Sequence, residues 1–289
     1  MRILVIGAAG MLGLDVLRAA ERAEHEPIGL DLPEIDITDP ASVLAAIERS
    51  EPEAVVNCAA LTDVDAQESD REMAQAVNAD GAGNLARGVA SAGISLVHVS
   101  TDYVFSGEVP RDAAGDPRAY FESDPTGPRS VYGATKLAGE QQVLAASPRH
   151  TVARTAWLFG VGGRNFVETM LGLGSEREAV RVVTDQEGCP TWSGHLAPAL
   201  LGLLERGVAG TVHLAGGGHV TWNGFAAEIF RQADMQCSVE RVSSAEMARP
   251  APRPAWSALE SERDDVLPLP PWQDGLAGYL AARAGMTRP

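Results

Sequence analysis

The sequence predicts an α/β protein built on a doubly wound parallel sheet, and three observations predict it. Short apolar runs alternate with amphipathic segments along roughly the first half of the chain. The first run, "RILVI", is continuous rather than alternating, as in a strand buried on both faces. A glycine-rich turn, "GAAGMLG", joins that run to the amphipathic segment behind it.

Each element follows in order. "RILVIG" reads as the first strand and "GMLGLDVLRAAERA" as its helix. "EPIGLD" is a second strand, and "PASVLAAIERS" a helix opened by proline, whose fixed φ suits a first turn. "AVVNCAA" is a third strand, followed by a long helical region, "DREMAQAVNADGAGNLARGVASAG". "ISLVHVST" is a fourth strand, "SVYGATKLAGEQQVLAAS" a helix and "HTVARTAWLFG" a fifth strand. Right-handed crossovers would gather the C-terminal ends of these strands on one edge, where ligands bind. Beyond about residue 160 the pattern loosens. "NFVETMLGLGSE" and "WNGFAAEIFRQAD" read as helices, "AVRVV" and "GTVHLAG" as short strands. The Pro-rich stretch from Arg249 to Pro271 carries Trp256 and leads through Trp272 into the helix-like "WQDGLAGYLAARAG", so it reads as an ordered loop and helix packed over a cleft.

Composition excludes several functions. The chain has 289 residues and a formal net charge of -16, which argues against a nucleic-acid or anionic-membrane surface. Cys58, Cys189 and Cys237 are odd in number and lack CxxC spacing, which fits free thiols in a reducing compartment. The six His show no HExxH spacing, so no catalytic metal is expected. The N-terminal "MRILVIGAAGMLGLDVL" has a basic residue and an apolar run, but glycines and Asp15 interrupt it, and no apolar stretch reaches the roughly 20 residues that span a bilayer. A cytoplasmic protein is the expectation.

Gly7, Gly10 and Gly13 give GxxGxxG spacing, with Met11 and Leu12 at the helix start. Glycines here permit a tight turn, close approach of backbone to a pyrophosphate, and close helix–strand packing, while the helix N-terminus faces the phosphates. Asp31 ends the second strand, where a carboxylate accepts hydrogen bonds from ribose hydroxyls and repels a 2′-phosphate. The cofactor expected is therefore NADH or NADPH, with Asp31 favouring NADH. Asp36 and Ile37 follow and could frame the adenine.

Lys136 is the one lysine among 23 basic residues, and Tyr132 lies four residues before it on the same helix face. A solvated position would tolerate Arg; a compact, tunable ammonium is the alternative that a specific site would require.

"STDYVF" at the end of the fourth strand, YxxxK on the next clear helix and GxxGxxG at the N-terminus together resemble the extended short-chain dehydrogenase/reductase superfamily, whose core is a Rossmann-like sheet. The finer resemblance is to the dTDP-4-dehydrorhamnose reductase family. It is carried by "NCAALTDVDAQES", "STDYVFSG", "VYGATKLAGE", "RTAWLFG", "GRNFVETML", "TDQEGCPT", "VHLAGGGHVTW" and "RPAWSAL", in that order. The resemblance implies NAD(P)H-dependent reduction of the 4-keto group of a nucleotide-linked 4-keto-6-deoxyhexose, dTDP-4-dehydro-L-rhamnose above all.

It also implies roles. Tyr132 would protonate the carbonyl oxygen, Thr101 would hydrogen-bond it, and Lys136 would bind the nicotinamide ribose and lower the Tyr132 pKa. Ala59, Ala60 and Thr62 would lie along the cofactor, and Asn78 would order the local backbone. Thr62, Asp102, Tyr103 and Trp157 would surround the sugar, with Asn165 nearby and Arg253 toward the diphosphate. Residues 1–160 would form the dinucleotide-binding domain, with a segment from about 185–232 partly returning to it. Residues 161–289 would form a smaller, mainly substrate-binding α/β domain. A nucleotide sugar is the expected partner, and a homodimer is one option for assembly.

Two segments depart from the family pattern: an insertion, "PRDAAGDPRAY", read as a longer flexible loop near the site, and "ESERDD" after "RPAWSAL". The rival readings are a ketoreductase for another dTDP-deoxysugar, a sugar-nucleotide epimerase, a dehydratase and a regulatory subunit of methionine adenosyltransferase. A dehydratase would need an Asp–Glu pair after the catalytic Thr, and Tyr103 follows Asp102 here.

Overall fold

The structure, a computed structural model, describes residues 1–286. The first strand, β1 (Arg2–Ile6), buries Ile3 and Val5 on one face and Leu4 and Ile6 on the other, as the two-residue period of a strand dictates. It leads into α1 (Met11–Arg22), β2 (Glu26–Leu30), α2 (Pro40–Ser50) and β3 (Ala54–Asn57). Asp39 caps α2 through the Ala41 N–H, and Pro40 opens the helix.

Two short helices, α3 (Val64–Gln67) and α4 (Arg71–Ala74), precede a π-helical segment (Gln75–Gly81) and α5 (Ala82–Ser91). The region read as one long helix is helical without interruption from Arg71 to Ser91, and the widened π turn inside it carries Asn78. β4 (Ser95–Thr101) ends in a single 3₁₀ turn (Asp102–Val104), and α6 (Val131–Ala146) starts at the Ser130 cap.

The fifth strand is shorter than its apolar run. β5 (Thr151–Thr155) stops before Trp157, which has φ 46, and β6 (Leu158–Phe159) leaves in another sheet. α7 (Phe166–Glu176), β7 (Ala179–Val183), β8 (Glu187–Gly188), β9 (Thr191–Trp192) and α8 (Ser193–Arg206) follow. No element is expected from the sequence over α8, and Pro198 sits in its interior. An interior proline costs about 3 kcal/mol. Burial of Leu196, Leu200, Leu201 and Leu203, at about 1.5–3 kcal/mol each, outweighs it. The chain continues through β10 (Gly210–His213), β11 (Val220–Thr221), α9 (Trp222–Gln232), β12 (Ser238–Val242), β13 (Trp256–Ser257) and α10 (Trp272–Met286).

The main sheet has the order β10-β5-β4-β3-β1-β2, every pair parallel. α1 and α8 cover one face; α2, α5 and α6 cover the other. The strand order reverses between β1 and β3, which opens a crevice at their C-terminal ends. A second lobe packs α7, α9 and α10 against the parallel pair β7–β12 around Phe159, Phe225 and Tyr279. Within 185–232, α8 and β10 join the main sheet, whereas α9 belongs to the second lobe.

The insertion folds back on itself and packs against the chain that follows β4. Arg111 and Pro117 form a bridge, Arg118 pairs with both oxygens of Asp124, and Tyr120 stacks on Phe105 with centroids 4.1 Å apart. The Pro-rich stretch is ordered: Trp256 is buried and its indole N–H donates to the Arg118 carbonyl at 3.1 Å.

Candidate active site

Three features build the phosphate end. Gly7 has φ 77, and a Cβ there would lie 2.7 Å from the Ala59 nitrogen. A Cβ on Gly13 would lie 2.2 Å from the Gly7 carbonyl oxygen. The backbone of β1, α1 and the β3 loop is therefore packed with no room for side chains. Gly10 precedes α1, and no side chain caps that helix. Its N-terminus opens into the cavity and fits a phosphate. Asp31 braces the loop: one carboxylate oxygen accepts the Ala9 N–H at 2.9 Å and the other the Leu32 N–H at 2.9 Å.

The reactive end lies where β4 meets α6. Thr101 donates its hydroxyl proton to Asp102 at 2.9 Å and accepts the Tyr103 N–H at 3.2 Å. Asp102 is buried, and its Oδ2 has no hydrogen-bond partner. Burial pushes its carboxyl up to about 6, against the hydroxyls of Thr101 and Ser257. The Tyr132 phenol is pushed up to about 12 by burial, partly offset by a hydrogen bond with Thr101. This is opposite in direction to the lowering the sequence reading expects, because desolvation dominates. Tyr103 packs edge-on to Tyr132, centroids 5.4 Å apart, and burial raises its phenol too.

Lys136 is 2% exposed. Its Nζ donates to the Val99 carbonyl at 2.7 Å and lies 3.3 Å from His98 Nε2. Burial brings its pKa down to about 8, with the Glu140 carboxylate acting in the other direction. Glu140 is itself clamped by Arg154 and by the Ser100 hydroxyl. Asn78 works at one remove: its Oδ1 accepts the Leu61 N–H at 2.9 Å, and its amide reaches Gln67 and Thr135.

A cavity of about 520 Å³ brings together Gly7, Gly10, Met11, Leu12, Gly13, Ala60, Thr62, Thr101, Asp102, Tyr103, Tyr132, Lys136 and Trp157. A second cavity of about 690 Å³ shares Tyr103 and Trp222 with it and includes Arg253. The other expected residues lie outside both linings. Ala59 backs Gly7; Asp31 is at the loop; Asp36 is exposed and holds Thr38. The Ile37 side chain is buried in the core against Gly81, so it is not free to frame a ligand. Asn165 caps α7 through the Glu168 N–H and bonds the Gly160 and Gly163 carbonyls.

Sequence reasoning missed several lining residues. Arg164 stands beside the first cavity, and Arg181 and Arg249 beside the second. An arginine inside the apolar strand "AVRVV" is a signal that could have pointed to Arg181. Trp222 stacks on Trp157 with centroids 3.5 Å apart, a pairing across the chain that no periodicity reveals. Arg253 is held by Asp65 at 3.0 Å and Arg249 approaches the same carboxylate at 3.5 Å, joining the Pro-rich loop to α3.

Among the described residues, no cluster of His, Cys, Asp and Glu is arranged to hold a metal, and no helix is long and apolar enough to cross a membrane.

Residues 1–284 match the family described as RmlD substrate binding domain. The chain is 44% identical over 293 residues to a dTDP-4-dehydrorhamnose reductase of Mycobacterium tuberculosis, covering 99% of this chain and 94% of that protein. It is 44% identical over 232 residues to a dTDP-4-keto-6-deoxy-D-glucose reductase of Streptomyces niveus, covering 80% and 78% of the two chains. A crystal structure of a dTDP-4-dehydrorhamnose reductase from Bacillus anthracis in complex with NADP superposes with a TM-score of 0.92 at 35% identity, covering 97% of this chain and 99% of that one.

Proposed function

The chain belongs to the dTDP-4-dehydrorhamnose reductase family, a family of nicotinamide-dependent oxidoreductases, and from that premise we propose that it reduces dTDP-4-dehydro-L-rhamnose to dTDP-L-rhamnose. The observation that carries the proposal is the meeting of the glycine loop, Thr101, Tyr132 and Lys136 around one cavity.

The glycine cradle and the uncapped N-terminus of α1 fit a pyrophosphate, and Gly7, Gly10, Met11, Leu12 and Gly13 would hold it. When bound, the nicotinamide supplies the hydride for the C4 carbonyl carbon. The chain supplies the proton. Tyr132, held protonated by burial, gives its phenolic proton to the carbonyl oxygen. Thr101 bonds the same oxygen, which requires its hydroxyl to turn from Asp102. Lys136 contacts the ribose. Asp102, Tyr103, Thr62 and Trp157 bind the sugar.

The second lobe, within 161–289, whose residues 287–289 lie outside those described, binds the nucleotide. Arg181, Arg249 and Arg253 line its cavity and supply positive charge for a diphosphate. Asp31 favours NADH, since a 2′-phosphate beside it would meet a carboxylate already fixed on the loop.

The test is to incubate the protein with NADH or NADPH and either dTDP-4-dehydro-L-rhamnose or dTDP-4-keto-6-deoxy-D-glucose, and to identify products by NMR. Formation of dTDP-L-rhamnose as the preferred product supports the proposal. Preferred reduction of the D-glucose-derived ketone would move the protein to the other deoxysugars, and no turnover of either would overturn the reading.

A further inference from the structure

His98 on β4 is 1% exposed, and both its ring nitrogens face nitrogen atoms. Nδ1 lies 3.0 Å from Asn57 Nδ2, and Nε2 lies 3.3 Å from Lys136 Nζ. Counting donors and acceptors fixes where the protons are. Asn57 Oδ1 accepts the Ala59 N–H at 3.0 Å, and a backbone N–H cannot reverse its role. Asn57 must then offer its NH₂ to His98, so Nδ1 accepts. A neutral imidazole has one proton, which is therefore on Nε2 and points at Lys136. A second proton on the ring is disfavoured by burial, which holds His98 well below its ordinary pKa. An ammonium would set N–H against N–H across this contact. A neutral amine has a lone pair that accepts the Nε2–H, and it still donates to Val99.

We propose that Asn57 and His98 are positioning residues that favour the neutral amine of Lys136 in the free protein, so that it sheds its proton at mildly alkaline pH. The two states of the network differ by one proton. In one, Lys136 is –NH₂ and His98 carries its proton on Nε2. In the other, Lys136 is –NH₃⁺, the imidazole proton is on Nδ1, and Asn57 has turned its oxygen toward the ring and away from Ala59. Ala59 is the residue against which Gly7 rests, so the charge of Lys136 is tied to the backbone of the glycine loop.

The other groups around Lys136 do not settle its charge by themselves. Tyr132 and Glu140 lie on its own helix, Cys58 follows β3 and Asp102 ends β4. The Glu140 carboxylate favours the ammonium, but it is already paired with Arg154 from β5. The Cys58 thiol is pushed up to about 12 by burial and stays neutral.

The inference concerns the free protein and does not depend on which sugar is reduced. Because Lys136 is the one lysine, protein labelled with ¹³C and ¹⁵N lysine gives a single side-chain signal whose midpoint reads its charge. The ring ¹⁵N shifts of His98, assigned by the loss of its signals in His98→Gln, read the tautomer. The expected result for the unmodified protein is a Lys136 midpoint near 8, well below the usual 10.4 or so, with the Nε2–H tautomer at pH 9, where the amine is neutral. In Asn57→Asp, a carboxylate accepts from both Ala59 and Nδ1–H. The tautomer should switch to Nδ1–H, and the lysine midpoint should rise by at least about one pH unit. An added buried charge acting without the tautomer would raise the midpoint and leave Nε2–H in place, which would overturn the proposal. An Nδ1–H tautomer in the unmodified protein at pH 9 would overturn it directly, with no variant needed.

Discussion

Replacing Asp102 by Asn should lower activity and should gain stability relative to the parent as pH rises, and the size of that gain follows from one buried carboxyl. Asp102 is 2% exposed; its Oδ1 takes the Thr101 hydroxyl and its Oδ2 has no partner. Burial moves its pKa from 3.8 to about 6. The folded state thus binds the proton more tightly than the unfolded chain does. The stabilisation is complete below about pH 3.8 and is lost as pH rises through about 6. A shift of about two units corresponds to about 3 kcal/mol lost by pH 7, most of it between pH 4 and pH 8.

Asn keeps an acceptor for Thr101 and has no charge to desolvate. Any fixed cost of its unpaired NH₂ is independent of pH. For a chain of this length, unfolding entropy near Tm is about 0.6 kcal/mol/K, so the full effect is about 5 °C. Thermal unfolding of both proteins at intervals from pH 4 to pH 8 measures it. The Tm difference, variant minus parent, should grow by roughly 4 °C across that range. Activity should fall at every pH, because the group proposed to meet the sugar is changed. A Tm difference that stays constant from pH 4 to pH 8 would refute the reasoning, since a carboxyl already ionised, or one well solvated, gives no such slope.

Three further outcomes are expected. Asp31→Ser should narrow the preference for NADH over NADPH in kcat/KM, and a parent protein that prefers NADPH tenfold would contradict the assignment. Tyr132→Phe should reduce turnover by about 10²–10⁴, the usual contribution of a positioned acid, while NADH binding measured by fluorescence stays near normal. Arg154→Met alone leaves Glu140 buried and unpaired and should cost about 3–5 kcal/mol, seen as a lowered Tm. Adding Glu140→Leu should restore most of it; a double variant as unstable as the single one would mean that the pair contributes net stability.

The parts of the fold legible in the sequence are those set by local pattern. β1 and its glycine loop declare themselves because a buried parallel strand must be apolar and the turn behind it admits no Cβ at Gly7 or Gly13. The same logic misreads two places. "HTVARTAWLFG" is one apolar run, yet Trp157 turns the chain at φ 46 so that Leu158 and Phe159 can pair with Thr191 and Trp192. That choice depends on a partner more than thirty residues away. α8 is hidden by Pro198, whose cost is met by leucines packing on α1, again a tertiary effect. The site divides in the same way. Residues at strand ends and on the YxxxK face were legible. Arg181, Arg249 and Trp222 were not, because they line a cavity that only distant parts of the chain, brought together by the fold, enclose.

The lone lysine lies on both sides of that division. Its identity is visible in the sequence; the reason for it is not. Nζ fits between the Val99 carbonyl and His98 Nε2, in a buried position. A guanidinium there would bring five donors and a permanent charge to a place with one carbonyl and one imidazole nitrogen to meet them. An ammonium or amine brings a single nitrogen whose proton count can change. The partners that make this useful come from two other strands: His98 from β4 and Asn57 from the end of β3, neighbours only because those strands pair in register with Asn57 beside His98. Spacing along α6 could point to Tyr132 and Lys136 as a pair, but only the register of the sheet brings in the residues that govern the proton.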